Sequence, residues 1–211
     1  MRDKSQDIKD EIRAEICAFV KKYETREEIA AKWGVPLVGF ADAAHPFILN
    51  LRQLVSENHM FPDDVLKDAS IVVAYYVPFT KELARENDSS SRLASSSWAR
   101  AYEETNAMFL CLNEFMIGYL TEKGYRAGAS KEAATFSTEK LISNWSQRHF
   151  AYAAGLGTFG LNNMLITSQG CCGRFSTIVT DLPVTPDQPL KEELCLYKKN
   201  GSCKVCLKNC P

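Results

Sequence analysis

The C-terminal tail of the chain carries a cluster of cysteines. Four of the eight cysteines lie there: Cys195, Cys203, Cys206 and Cys210. The last three stand before Pro211 in the spacing C-x2-C-x3-C-P, the closing part of a bacterial run that ligates iron–sulfur clusters. Cys195 supplies a fourth thiolate if residues 196–202 form a loop. The tail predicts a 4Fe-4S site, with tetrahedral zinc as the main alternative and a redox dithiol at Cys203 and Cys206 as a third.

The number of cysteines bears on how many clusters the tail could hold. In two-cluster ferredoxin modules the cysteine before the proline ligates the other cluster, whose remaining ligands lie further along the chain. We expect Cys195, Cys203 and Cys206 to belong to one cluster and Cys210 to a second, in a module that is truncated here. The alternatives are one cluster on all four cysteines, or no stable cluster.

The second stretch that suggests a binding or catalytic role is a glycine-rich segment, AGLGTFGLNN at residues 154–163. Gly155, Gly157 and Gly160 have the G-x-G-x-x-G spacing of dinucleotide sites. The sequence predicts that this segment follows a helix and precedes a strand, which is the reverse of the dinucleotide-binding arrangement. We therefore expect a loop whose backbone closely approaches either another chain segment or a cofactor.

Other reactive side chains have ordinary structural interpretations. His45 and His59 are predicted at the surface or in turns. Cys171 and Cys172 are interpreted as a partly buried pair of thiols in a turn, with a redox or cofactor-facing role as the alternative.

The composition predicts one main core that positions these segments. The chain has 211 residues, 45% of them hydrophobic, and a net charge of -1. We expect an α+β layered domain over residues 1–184 and a partial iron–sulfur segment over residues 185–211. The N-terminus reads as a charged helix rather than a signal, and no stretch reaches the length of a membrane span, so a cytoplasmic location without a membrane partner is expected.

Hydrophobic patterns predict the main elements of this domain. Strands are expected at residues 35–41, 71–77, 163–167 and 175–180, with the last two paired through the turn between them. Helices are expected over residues 8–23, 98–123 and 145–154, in a short segment opened by the capping box at residues 25–28, and from about Thr138.

Several motifs together resemble the epoxyqueuosine reductase and reductive dehalogenase superfamily. They are RHFAYAAGLGTFGLNNMLIT at residues 148–167, then Gly170, Arg174, TDLP at residues 180–183, and the cysteine ending. The resemblance implies a nitroreductase-like α+β cofactor domain, a base-off cobalamin and an adjoining ferredoxin-like module with two 4Fe-4S clusters. It places six residues near the corrin: Arg148, Gly157, Thr158, Phe159, Gly160 and Asn162.

The chain departs from the reductase pattern at the expected proton donor. Leu141 stands where these reductases carry an acidic residue, and Thr158 and Leu161 replace the usual Trp and Lys of the loop. His149, Glu139 and Lys140 are the remaining candidates for a catalytic proton donor. We therefore expect tRNA to be an unlikely partner, and a small-molecule substrate or an electron-donor protein instead.

Two functions fit these observations. The first is an oxidoreductase that passes electrons from 4Fe-4S clusters to a cobalamin-type cofactor and reduces a small substrate. The second is a non-catalytic iron–sulfur protein that transfers electrons for a partner.

Overall fold

The architecture is a mixed α+β fold built around a small antiparallel sheet. A computed structural model describes residues 3–88, 93–130, 136–137, 139 and 142–209. The strands are, in chain order, β1 (Leu37–Asp42), β2 (Ile71–Pro78), β3 (Ala127–Gly128), β4 (Phe136–Ser137), β5 (Ile142–Ser143), β6 (Gly157–Phe159), β7 (Leu165–Thr167) and β8 (Gly173–Thr180). Four of them form the main sheet in the order β1-β2-β8-β3, and every pair in it is antiparallel. The predicted fold class, α+β, is confirmed.

Two long helices and several short ones surround this sheet. They are α1 (Lys4–Tyr23), α2 (Pro46–Leu49), α3 (Leu51–Leu54), α4 (Pro62–Val65), α5 (Lys81–Asp88), α6 (Ser96–Glu122), α7 (Gln147–Ala153), α8 (Leu196–Asn200) and α9 (Val205–Lys208). Helix α6 begins where the Ser95 side chain accepts a hydrogen bond from the Trp98 N–H, a standard N-cap. No described helix is long and apolar enough to cross a membrane.

Strand β2 lies at the centre and is buried along its whole length. Because successive side chains of a strand point to opposite faces, its apolar sequence IVVAYYVP supplies two cores at once. Val73, Tyr75 and Val77 pack beneath α1 and α6, and we call this side the scaffold face. Val72 and Ala74 pack beneath α7 and the β6–β7 hairpin, and we call this side the site face.

The scaffold face follows from helix periodicity. Met108, Leu112, Met116 and Leu120 recur every four residues along α6 and are all buried, which presents one apolar stripe to the sheet. Helix α1 adds Ile12, Ile16 and Val20 in the same way. The patterns of both helices predicted this arrangement.

Three sequence predictions about secondary structure were wrong. Residues 24–28 form turns and residues 29–32 are irregular rather than helical, because the N–H groups of Ala30 and Ala31 bind the Glu104 carboxylate of α6. Around residue 138 the described residues form the β4–β5 hairpin instead of a helix, while Thr138 itself lies outside the described residues. Strand β7 pairs with β6, and β8 pairs with β2 and β3, so the two strands expected to form a hairpin belong to different sheets.

Candidate functional site

The glycine-rich segment forms the first strand of a short hairpin. In the register of β6 and β7, Thr158 lies opposite Ile166 and Phe159 opposite Leu165. A Cβ on Gly157 would lie 2.2 Å from the Ile166 carbonyl oxygen, and one on Gly155 would lie 2.5 Å from the Gln188 carbonyl oxygen. Gly155 also has φ +73°, which other residues adopt only with strain. Of the two expected causes for these glycines, close approach of the chain to itself is the one observed.

The C-terminal tail docks on this hairpin. The Leu194 N–H donates to the Thr158 hydroxyl oxygen at 2.9 Å, and the Lys198 ammonium donates to the Phe159 carbonyl oxygen at 2.6 Å. Cys195 lies between these two contacts and is only 8% exposed. The two segments that the sequence singled out separately are therefore in direct contact.

The environment of the Cys195 thiol favours its ionised form. The nearby backbone N–H groups of Lys198, Leu161 and Tyr197 lower the pKa of this thiol below its usual value, with the Lys198 charge assisting. Leu161 belongs to the glycine-rich segment, so that segment contributes to the environment of the sulfur. Backbone donors around a thiolate are a feature of iron–sulfur ligands and also of reactive cysteines.

The other tail cysteines are less enclosed. Cys203 and Cys206 are half-buried free thiols near α9, and Cys210 lies outside the described residues. Within the described part of the chain, no three Cys, His, Asp or Glu side chains come together as a metal site. The donor set suits a soft metal or an iron–sulfur cluster, and the surroundings of Cys195 also favour a thiolate.

The six residues assigned to a corrin do not fit that role. Gly157, Thr158 and Gly160 are buried against the chain itself, and the Thr158 hydroxyl is already engaged by the tail. The Arg148 guanidinium donates to the Asn163 carbonyl oxygen at 2.5 Å. Phe159 packs against two rings of α7, and Asn162 is exposed with its side-chain oxygen on the Met164 N–H. Together they form a packed surface rather than a cradle for a large ring.

His149 lies on the site face, near the start of α7. Its ring packs on Phe159 of β6 with the centroids 4.8 Å apart, and its Nδ1 is 2.6 Å from the Ser146 hydroxyl. Burial, together with the positive charge of Arg148, lowers the pKa of His149 to about 4. The imidazole is therefore neutral near pH 7 and is poorly suited to act as an imidazolium acid. Of the other candidates, Glu139 is exposed and Lys140 lies outside the described residues.

His59 is a buried core residue, whereas the sequence interpretation placed it at the surface or in a turn. Its side chain is fully buried, with Nε2 accepting the Ser146 N–H at 3.0 Å and Nδ1 lying 2.7 Å from the Met60 carbonyl oxygen. This pattern assigns the ring proton to Nδ1, and burial lowers the pKa of the group. No local pattern in the sequence around residue 59 marks it as buried.

Buried polar atoms without a partner concentrate near the site face. Among the described residues they are the Tyr76 hydroxyl, Oε1 of Gln147 at the start of α7, and Oε2 of Glu193 just before Cys195. An unsatisfied buried polar atom costs stability, and in native proteins such atoms often mark function. Sequence patterns gave no indication of these three residues.

The fold is that of epoxyqueuosine reductase structures. A selenomethionine-labelled epoxyqueuosine reductase matches 96% of this chain with a TM-score of 0.56 at 18% identity. A Bacillus subtilis epoxyqueuosine reductase, solved with its catalytic loop swung out of the active site, matches the same share with a TM-score of 0.55 at 18% identity. The chain spans about half of these structures, 52% of each. Scans of protein-family models and of curated proteins find no match.

A third structure corrects the expectation about partners. It is an epoxyqueuosine reductase in complex with an epoxyqueuosine-modified tRNA stem loop, and it matches 96% of this chain with a TM-score of 0.56 at 19% identity. The expectation of a small-molecule substrate, with tRNA as an unlikely partner, is therefore wrong. It relied on the substituted residues and the absence of a basic patch, and neither excludes a fold that accommodates a tRNA stem loop.

Proposed function

We propose that the chain belongs to an iron–sulfur oxidoreductase, in which the cysteine tail delivers electrons to the site face. The docking of Cys195 on the glycine-rich hairpin carries this proposal. That contact places a thiol suited to ligation against the segment that separates the tail from α7. The shared fold with epoxyqueuosine reductases supports the same class of reaction.

In this proposal the two parts of the chain expected from the sequence have different roles. Residues 1–184 form a nitroreductase-like domain that presents the site face, and residues 185–211 belong to a ferredoxin-like module. Cys195, Cys203, Cys206 and Cys210 would hold the cluster. A bound 4Fe-4S cluster supplies one-electron transfer. In the chain itself, nearby backbone N–H groups favour the thiolate form of Cys195, and the residue is largely buried.

The substrate in this proposal is an RNA stem loop or a base within one. It rests on the tRNA complex of a protein with the same fold. The half-buried, neutral His149 on α7 is the group that accepts a hydrogen bond from such a base in this proposal. A cobalamin is not part of the proposal, because the residues assigned to it are packed against the chain.

Metal analysis of anaerobically prepared protein tests the first part. After reconstitution with iron and sulfide, the wild-type chain should bind both in equal amounts and show the absorption of a cluster that dithionite bleaches. Cys195→Ser should lose most of the iron and sulfide. Cys17→Ser, which changes a half-buried thiol on α1, should keep them. One equivalent of zinc without sulfide would instead establish a zinc site.

A second measurement separates catalysis from electron transfer alone. The dithionite-reduced, reconstituted protein is incubated with an epoxyqueuosine-modified tRNA stem loop, and the nucleosides are analysed by mass spectrometry. Loss of the epoxide oxygen supports the oxidoreductase. A loaded cluster with no binding of the stem loop and no turnover would favour the non-catalytic alternative.

A further inference from the structure

The segment that carries the tail cysteines is also strongly basic. Residues 195–209 contain four lysines, Lys198, Lys199, Lys204 and Lys208, and no acidic residue. The whole chain has a net charge of -1, so the remaining residues together carry an excess of acidic groups. A polyanion that approaches the molecule is therefore attracted to this segment and repelled by the net charge of the rest. We call residues 195–209 the basic tail.

Three lysines of the basic tail are exposed at the surface. Lys199 lies 3.4 Å from the Glu192 carboxylate, but the Glu192 side chain is 83% exposed, and such surface pairs contribute little. The Lys204 ammonium lies 5.4 Å from the centroid of the Tyr197 ring, so the start of α9 folds back towards α8. Lys208 is the last residue of α9. The three ammonium groups therefore belong to two short, neighbouring helices and are accessible to an anion.

The fourth lysine connects the basic tail to the site face. The Lys198 ammonium donates to the Phe159 carbonyl oxygen, and the Phe159 ring packs on the His149 ring with the centroids 4.8 Å apart. In the proposed function, His149 accepts a hydrogen bond from a base of an RNA stem loop. The basic tail is therefore adjacent to the position of that base, where the phosphates that flank it would lie.

An RNA strand and an acidic protein are the two polyanions that such a surface could bind. Position favours the RNA, because Lys198 and His149 both contact Phe159. Residue type favours it as well. Protein–protein interfaces are enriched in arginine and depleted in lysine, whereas lysine binds phosphate as a point charge, and the basic tail has four lysines and no arginine.

We propose that the basic tail is a phosphate-binding surface, on which Lys199, Lys204 and Lys208 hold the backbone of the RNA strand whose base lies at His149. This inference rests on the proposed function, because the RNA stem loop is the substrate in that proposal. Phosphate contacts supply affinity and position the strand, whereas contacts to the base carry the specificity. The segment that holds the cluster thus also holds the substrate.

The salt dependence of RNA binding tests this proposal. Fluorescence anisotropy follows the binding of a labelled epoxyqueuosine-modified tRNA stem loop to the reconstituted chain between ~50 and ~200 mM salt. A triple variant, Lys199→Gln, Lys204→Gln and Lys208→Gln, removes three charges and preserves the length of the side chains. Each lost contact to a single strand reduces the slope of log K against log salt by ~0.7, so the slope should become shallower by ~2. The affinity at ~50 mM salt should fall by about tenfold or more.

A second triple variant controls for net charge. Lys21→Gln, Lys22→Gln and Lys81→Gln remove the same number of exposed charges from α1 and α5, and they should leave the slope unchanged. An equal change of slope in both triple variants would overturn the proposal, since it would report only the net charge of the chain. An unchanged slope in the basic-tail variant would overturn it too, as would the absence of binding of the stem loop to the wild-type chain.

An unmodified stem loop of the same sequence separates this proposal from the proposed function. Phosphates carry no base information, so the basic-tail variant should lose the same factor of affinity for both RNAs. Equal wild-type affinities for the two RNAs, with no loss of the epoxide, would contradict the proposed function while the loss of affinity in the variant still supported the phosphate contacts. Binding of an acidic ferredoxin that depends on the three lysines, with RNA binding unaffected by their loss, would replace the RNA by a protein partner and overturn the proposal.

Discussion

The two faces of the sheet satisfy their buried polar groups differently, and two neighbouring residues of β2 show the contrast. Tyr75 and Tyr76 are both completely buried, and burial raises the pKa of both. On the scaffold face the Tyr75 hydroxyl donates to the Asn113 side-chain oxygen, which also accepts from Ser176. On the site face the Tyr76 hydroxyl has no partner among the described residues. The buried tyrosine hydroxyl is therefore hydrogen-bonded on the scaffold face and lacks a partner on the site face.

The difference extends to the covering layers. Long helices with regular apolar stripes cover the scaffold face. The site face is covered by a seven-residue helix, a hairpin of three-residue strands and an extended tail. Short elements bury little area, so they depend on specific hydrogen bonds and can rearrange at low cost. The regular scaffold and the proposed site therefore lie on opposite sides of the same strand.

The largest expected effect that tests this contrast is the pH dependence of the free energy of unfolding. Because the pKa of His149 is about 4 when folded and ~6.5 when unfolded, the unfolded state binds more protons between these values. The contribution of the neutral His149 to stability is fully present above pH 6.5. It is lost as the pH falls towards 4, which lowers the free energy of unfolding by up to about 3 kcal/mol. Urea denaturation at pH 7, 5.5 and 4.5 measures the loss.

His149→Gln is the control for that experiment. It should flatten the pH profile between 6.5 and 4.5, leaving a smaller slope of the same sign from His59, whose pKa is also lowered. An unchanged slope would mean that the site face does not hold His149 neutral.

A matched pair of tyrosine substitutions gives a smaller effect but a sharper contrast. Tyr75→Phe removes a donor from Asn113 and should lower the free energy of unfolding by ~1–2 kcal/mol. Tyr76→Phe removes a hydroxyl without a partner and should change it by less than ~0.5 kcal/mol, or stabilise the protein. Chemical denaturation of both variants measures the difference. Equal losses would contradict the distinction between the two faces.

The smallest effect is expected at the tail. Thr158→Val keeps the shape of the side chain but removes the acceptor of the Leu194 N–H, at a cost of ~1 kcal/mol. Hydrogen exchange at Leu194 should become about fivefold faster, since RT is ~0.59 kcal/mol. Thr167 is a buried threonine of β7 whose hydroxyl forms hydrogen bonds with Gln169 and Gly170 instead. The control variant Thr167→Val should therefore leave the Leu194 exchange unchanged. Faster exchange in both variants would indicate loss of the hairpin rather than of the docking contact.

The scaffold face could be predicted from the sequence, and most of the site face could not. Periodic apolar residues gave α1 and α6, and an unbroken apolar run gave β2. These signals are local, because each residue's role follows from its neighbours in the chain. Strand β6 has three residues, one of them glycine, and exists because its backbone meets Ile166 and receives the tail. Those partners lie elsewhere in the sequence.

The candidate site was identified by residue type rather than by position. The tail cysteines and the glycine-rich segment stood out in the sequence as separate features, but their contact depends on tertiary folding. His59 shows the same limit, because its burial is set by Ser146 and Trp145, far along the chain. The position of Tyr76 depends in the same way on the register of β2 and β8, which opposes its ring to that of Phe175.

The contacts of Asp187 have a consequence for the order of folding. Its carboxylate binds the Lys9 ammonium at 2.5 Å and accepts the Phe40 N–H at 3.0 Å, so α1 and β1 hold the chain just before the tail. Lys9 and Asp187 are 178 residues apart in sequence. Contacts between such distant segments close the largest loops and form slowly. Leu194 and Thr158 are only 36 residues apart. We therefore expect the tail to dock on its hairpin before Asp187 closes the large loop to the N-terminal helix, so that this last contact locks Cys195 in place rather than placing it there.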